Sequence, residues 1–217
     1  MALIIGGKEV PCAAHVVDWR VHGYEFKPGR GGRRRNPKVE VDLMVWHWTA
    51  GESDNRGLFG ILDRRELGVE FGIDRSGVIW QYCDPLVVDT WDAGSVNPRS
   101  MGVEIANYGA AAEADIPRAG RDRPRYQTTM HGRARTFAAF YPAQLEAAWA
   151  LAEAVSEAHP AIMRQVPRDP MTNELIKRVL VGEELTTFAG HIGHFHVTDQ
   201  KVDPGTDLLE LFKSRGY

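Results

Sequence analysis

The sequence predicts an α/β fold in which a single mixed central β-sheet carries helices packed on it, within one domain. Two observations predict it. Apolar, β-branched runs such as VEVDLMVW alternate along the chain with segments whose apolar residues recur at helical spacing, such as LFGILDRREL, and that alternation is the pattern of a sheet covered by helices. The chain has 217 residues, 43% of them hydrophobic, which is enough for one substantial core and within the range of a single domain. No internal repeat or low-complexity tract points to another architecture.

Residues 1–38 read as an N-terminal basic extension. It holds a short apolar strand LII, a Gly-Gly turn, a second strand possibility around Ala14–Trp19, and the basic segment GRGGRRRNPK. Residues 39–217 read as the core of the domain. Val39–Trp48 is apolar and β-branched over most of its length, as a strand buried on both faces should be. Ser53 offers an N-cap, after which Leu58, Phe59, Ile61, Leu62 and Leu67 recur at helical spacing until Gly68 stops them. VEFGID and VIWQYCD read as two strands joined by a tight turn at Arg75-Ser76-Gly77. SMGVEIANYG is a further strand that sets Glu104 in an otherwise apolar run. Residues 110–136 are polar and Arg-rich without periodicity, which predicts a long loop. Pro142 suits a first helical turn, and Leu145, Trp149, Ala152 and Val155 line one face up to His159-Pro160. Further helices are predicted over Asn173–Val181 and, capped by Thr206, over DLLELFKS.

Net charge is −3, so the overall balance calls for neither nucleic acid nor an anionic membrane as partner. Basic residues crowd two segments, Arg30 to Lys38 and Arg121 to Arg135. Gly and Pro break both, which predicts solvated loops, with a polyanionic envelope polymer as the alternative partner. Two cysteines without CxxC spacing exclude a disulfide scaffold and an all-cysteine zinc site. No window is apolar enough to insert stably in a membrane, and MALIIGGKEV lacks the pattern of a signal peptide, so synthesis in the cytoplasm is expected.

A zinc hydrolase needs three protein ligands and one open coordination position. His47 lies near the end of the buried strand, directly before a Gly-containing turn, where a sheet presents functional groups. An isolated histidine there would ordinarily be a packed core or turn residue. In GHFHVTDQKVDPG, however, His194 and Asp203 flank a short polar loop bent by Pro204-Gly205, and Lys201 lies two residues before the aspartate. His191 and His196 are alternative ligands in the same stretch, since strand alternation would turn His194 and His196 to one face. For Glu104 the non-catalytic alternative is an ion pair with Arg99, and for Lys201 an exposed turn.

The stretches WHWTAG, VEFGIDRSGVIWQ, TWDAGSVNPRSMGVEIAN and GHFHVTDQKVDPG, in this order over roughly residues 40–213, resemble the zinc-dependent N-acetylmuramoyl-L-alanine amidases of the amidase-2 type. That group includes phage lysins and is similar to peptidoglycan-recognition proteins. The resemblance implies their fold, Zn²⁺ held by His47, His194 and Asp203, Lys201 stabilising charge at the scissile carbonyl, and Glu104 as the proton carrier. Asn97, Arg99 and Trp91 are expected at the edge of the substrate groove. Two departures stand out: Val69 where some members carry a tyrosine, and Asp92 where a WHAG-like segment carries a histidine. The implied activity is hydrolysis of the amide bond between N-acetylmuramic acid and L-alanine by a monomer acting on peptidoglycan or a muropeptide. A phage or prophage endolysin released onto the cell wall is expected, with a cytoplasmic muropeptide-recycling amidase or a non-catalytic peptidoglycan-binding module as alternatives. Relatives without turnover typically lose a ligand, and this chain keeps all three.

Overall fold

A computed structural model describes residues 1–117 and 120–217. Among them the strands are β1 (Ala2–Ile5), β2 (Lys8–Pro11), β3 (Val16–Asp18), β4 (Lys27–Pro28), β5 (Gly31–Arg34), β6 (Leu43–Trp48), β7 (Phe71–Ile73), β8 (Ile79–Gln81), β9 (Val88–Thr90), β10 (Ser100–Ile105), β11 (Arg125–Met130), β12 (Arg133–Ala138) and β13 (Gly190–Gly193). The helices are α1 (Trp19–His22), α2 (Asn55–Arg64), α3 (Pro142–Ala158), α4 (Glu183–Thr186) and α5 (Asp207–Ser214). The central sheet has the order β13-β6-β10-β7-β8-β3. β13, β6, β10 and β7 run parallel, and β8 turns back antiparallel to β7, so the sheet is mixed as predicted.

Side-chain alternation divides the middle of this sheet into two faces. Met44, Trp46, Met101 and Val103 join the main core with Ala148, Leu151 and Val155 of α3 and with Leu209 and Phe212 of α5. Leu43, Val45 and Ile192 point the other way and pack with Ala93, Val96 and Leu180. Both faces of β6 are therefore covered, which is why its sequence is apolar throughout. His47 falls on the second face, beyond Val45.

The sequence reading differs from the structure in four places. Asp54, rather than Ser53, caps α2, its Oδ1 accepting the N–H of Gly57 at 2.7 Å. Residues 173–181 form no helix. Asn173 adopts φ +61°, the N–H groups of Ile176 and Leu180 donate to the carbonyls of Pro167 and His196, and the Lys177 carbonyl accepts the His131 N–H, so the backbone bonds that a helix would need go to other segments. Much of segment 110–136 is the antiparallel hairpin β11–β12, turned by His131 and Gly132 at φ +50° and +72°, the left-handed geometry of a two-residue hairpin loop. Residues 118 and 119 of that segment lie outside the described residues. Finally, the N-terminal segment is built into the fold: β3 pairs with β8 at the edge of the central sheet, and β5 pairs with β9. Three of its arginines are engaged, Arg30 with Asp63, Arg33 with Asp89, and buried Arg35 with Glu70.

Candidate active site

The register of the parallel strands assembles the site. His47 on β6 is the Cα partner of Glu104 on β10, so both side chains leave the same face at neighbouring strand ends. On the other side of β6, Gly193 pairs with Trp46, which sets the next residue, His194, beside His47. Parallel strands thus deliver three titratable groups to the crevice at their carboxyl ends, where α/β sheets bind ligands. Asp203 returns to the same point on the loop after His194. The backbone there needs glycine at 205, where φ is +83° and a Cβ would meet the Tyr126 hydroxyl at 2.3 Å.

Asp203 Oδ2 lies 3.0 Å from His47 Nδ1 and 3.2 Å from His194 Nδ1, and the ligand atoms of the three residues all fall within 4.8 Å of one another. Donors around a tetrahedral zinc, bound at about 2.0–2.1 Å, sit about 3.3 Å apart, so the cluster has nearly the spacing that such an ion requires. Its electrostatics also suit a cation. Burial disfavours charge on His47, yet hydrogen bonds to Asp203 and Asp92 outweigh it and push its pKa up to about 10. Two carboxylates on one ring hold positive charge at this point, and a divalent metal supplies it directly. Burial works against the Asp203 carboxylate as well, but His194 and His47 hold its pKa well below the usual range. Burial, aided by the charge of His47, lowers the pKa of His194.

Glu104 completes the floor. Its Oε2 is buried without a hydrogen-bond partner among the described residues. Burial, the largest cause, and the charges of Asp203 and Asp92 push its pKa up to about 8 against the pull of His47 and Lys201. A groove of ≈170 Å³ opens above these groups, with Lys201, Trp48, Trp91 and Arg65 among its walls. A larger cleft of ≈760 Å³ between the N-terminal segment and α3 is lined by small residues and by His15, Trp149, Glu146, Glu153 and Glu157, and among the described residues it gathers no converging donor set.

The other histidines of the loop are used elsewhere. His191 emerges on the opposite face of β13, where Trp46 Nε1 donates to its Nδ1 at 3.3 Å and Ser156 Oγ lies 3.0 Å from its Nε2. Residues 194–196 form a 3₁₀ turn rather than a strand, so His196 diverges from His194. Its Nδ1 accepts the Gly193 N–H and its Nε2 donates to the Ile176 carbonyl at 2.7 Å. Burial foremost pushes both rings down to about 3. An unfolded histidine titrates at about 6.5, so between these values the unfolded chain binds protons that the native one refuses. Stability is then lost as pH falls below about 6.5, by up to ~1.4 kcal/mol per pH unit per ring. Urea unfolding of the wild type and of His191→Phe between pH 7 and pH 5 checks this: the variant should show the shallower pH dependence, and equal slopes would contradict a buried neutral His191.

Trp91 is 37% exposed and lines the groove, whereas Asn97 and Arg99 do not reach it. Asn97 Oδ1 accepts the Ala93 N–H at 2.6 Å. Arg99 forms a bidentate pair with Asp42 and donates to the carbonyls of Leu185 and Phe188. An arginine on the 3₁₀ turn before β10 (Gly94–Arg99) ties elements below the groove together, and it is not the partner of Glu104. Sequence reasoning missed two charged groove residues. Arg65 follows α2 with no motif to mark it, and Asp92 was visible only as a departure from a WHAG-like segment.

The N-acetylmuramoyl-L-alanine amidase family, Amidase_2, matches residues 36–206. The comparison with curated proteins found no match. Among solved structures, the endolysin amidase LysCS from Clostridium intestinale superposes with a TM-score of 0.54 at 14% identity, covering 92% of this chain and 93% of that one. The Ph2119 endolysin of a Thermus scotoductus bacteriophage gives 0.52 at 13% identity, over 93% and 99%. Drosophila peptidoglycan recognition protein SD gives 0.52 at 16% identity, over 94% of each chain. At such identities the superpositions establish a shared fold, and the family match adds the lineage. From strand register to sequence profile, the chain belongs to the N-acetylmuramoyl-L-alanine amidase family of enzymes.

Proposed function

We propose that the chain is a zinc-dependent endolysin-type amidase that hydrolyses the bond between N-acetylmuramic acid and L-alanine in the bacterial cell wall. The observation that carries this reading is the convergence of His47, His194 and Asp203 beside Glu104, whose Oε2 has no hydrogen-bond partner among the described residues. His47, His194 and Asp203 would hold the ion. Zinc bound there supplies Lewis acidity at the lactyl carbonyl and ionises a water near neutral pH. Glu104 takes the proton of the attacking water and returns it to the leaving amine of L-alanine. Lys201, on the groove wall, offers its ammonium to the developing negative charge on the carbonyl oxygen. Trp91 and Trp48 present apolar faces to sugar or peptide in the groove. With Val69 in place of a tyrosine, Glu104 is the group left to carry the proton. The N-terminal segment and the core act as one domain, because Arg35 and β3 are built into the scaffold of the site.

Purified sacculi incubated with the protein should release soluble material, stop on addition of chelator and resume with added zinc. Release that ignores chelator would sink the zinc reading. A muropeptide-recycling enzyme would instead work faster on soluble anhydro-muropeptides than on sacculi, so that rate ratio decides between the two roles.

A further inference from the structure

Asp92 sits behind His47. Its Oδ2 is 3.1 Å from His47 Nε2, while Nδ1 of the same ring faces Asp203. We propose that Asp92 is a positioning residue which accepts the Nε2–H of His47 and so presents the Nδ1 lone pair to the metal, and that the fold reserves space for this carboxylate at Gly102. The proposal rests on His47 being a zinc ligand.

Three observations support it. A neutral imidazole carries one N–H; with Nδ1 given to the metal beside Asp203, that hydrogen sits on Nε2, where the Asp92 carboxylate is placed to accept it. Asp92 approaches from the side of the ring away from Asp203 and is not part of the cluster whose donor atoms converge, so its geometry is that of a support and not of a fourth ligand. The carboxylate also occupies a prepared place: a Cβ on Gly102 would lie 2.1 Å from Asp92 Oδ2 and 3.0 Å from Val69 Cγ2. Only a residue without a side chain on β10 leaves this room, one alternation step before Glu104 on the same face.

The support is braced from below. Thr90 Oγ1 lies 3.4 Å from Asp92 Oδ1 and donates to Glu70 Oε2 at 2.8 Å. Glu70 Oε2 also accepts the Gly102 N–H at 2.6 Å, and its other oxygen accepts from Arg35 Nη2 at 3.2 Å. The same Arg35 nitrogen donates to the carbonyls of Val88 on β9 and Ser100 on β10. Thr90, Asp92 and Gly102 are thereby held in one frame, and a small displacement at any of them reaches His47.

Zinc affinity, measured by competition with a chelating dye on wild type, Asp92→Ala, Asp92→Asn, Thr90→Val and Gly102→Ala, tests the proposal together with metal-free melting temperatures. Asp92→Ala should weaken zinc binding about 10–100-fold, the range for loss of a carboxylate behind a histidine ligand. Asp92→Asn should lose less, because its amide oxygen still accepts the N–H, and Thr90→Val should lose least. Gly102→Ala, which forces the carboxylate aside, should reproduce the Asp92→Ala loss and add little to it in the double variant. If Asp92→Ala does not fold, Asp92→Asn and Gly102→Ala carry the comparison. Wild-type affinity in Asp92→Ala, or additive losses in the double variant, would overturn the support role while leaving the zinc site standing. A wild-type protein that binds no zinc would remove the ligand reading and this inference with it.

Discussion

Asp203→Ala is expected to leave a folded protein that neither retains zinc through dialysis nor releases material from sacculi. Asp203 Oδ2 approaches both histidines, at 3.0 and 3.2 Å, and Asp203 is the anionic member of the set His47, His194 and Asp203. Without it two imidazoles remain, and the partner that turns His47 Nδ1 toward the centre is lost. Structural zinc sites owe on the order of 10 kcal/mol or more to their complete ligand sets, so losing one of three protein ligands should cost several orders of magnitude in affinity. His194→Ala should behave in the same way. His196→Ala should not, because its ring bridges the Gly193 N–H and the Ile176 carbonyl away from the cluster. It should keep zinc while losing about 1–3 kcal/mol of stability for the buried groups left without partners. Metal content after dialysis, read beside thermal melting, separates these outcomes, and zinc retained in His194→Ala but lost in His196→Ala would reverse the assignment.

Glu104→Gln is the second large effect. The substitution preserves shape and a hydrogen-bonding head but cannot accept a proton from water, so zinc should remain bound while kcat falls by roughly 10²–10⁴. Wild-type kcat/KM should rise with pH as Glu104 ionises. Burial first, with Asp203 and Asp92, pushes that carboxyl up to about 8, and a divalent cation beside it would draw the rise to lower pH. In Glu104→Gln the ascending limb governed by this group should vanish. A variant that keeps both the limb and wild-type turnover would remove Glu104 from the reaction.

The legible parts of this protein were those where one physical demand dominates a stretch of sequence. Burial on both faces makes β6 read as a strand, and alternation along Val45, Trp46 and His47 fixes which side chain reaches the site. The helix from Pro142 to Ala158 is marked by its proline and its apolar face. The hairpin β11–β12 was missed because its alternation is of arginines and threonines with few apolar partners (RYQTTM and RARTFA). Arg35 read as one of a run of solvated arginines, yet it is buried against Glu70 and backbone carbonyls. Nothing in GRGGRRRNPK distinguishes it from Arg34, since the difference lies in residues far along the chain. Arg99 fails as a groove contact for the same reason: its partner Asp42 is set by tertiary packing. At the site itself, His47, His194, Glu104 and Asp203 could be picked out as a set by their likeness to a family. The carboxylate behind His47 could not, because Asp92 becomes meaningful only once Gly102 is seen to make room for it.

The most direct measurement is mass analysis of the products formed when purified sacculi are digested with and without chelator. The account predicts free stem peptides beginning with an unblocked L-alanine and uncut glycan strands whose muramic residues carry free lactyl carboxylates, formed only when metal is present. Glycan strands still joined to L-alanine, or the same products in full yield after metal removal, would contradict it.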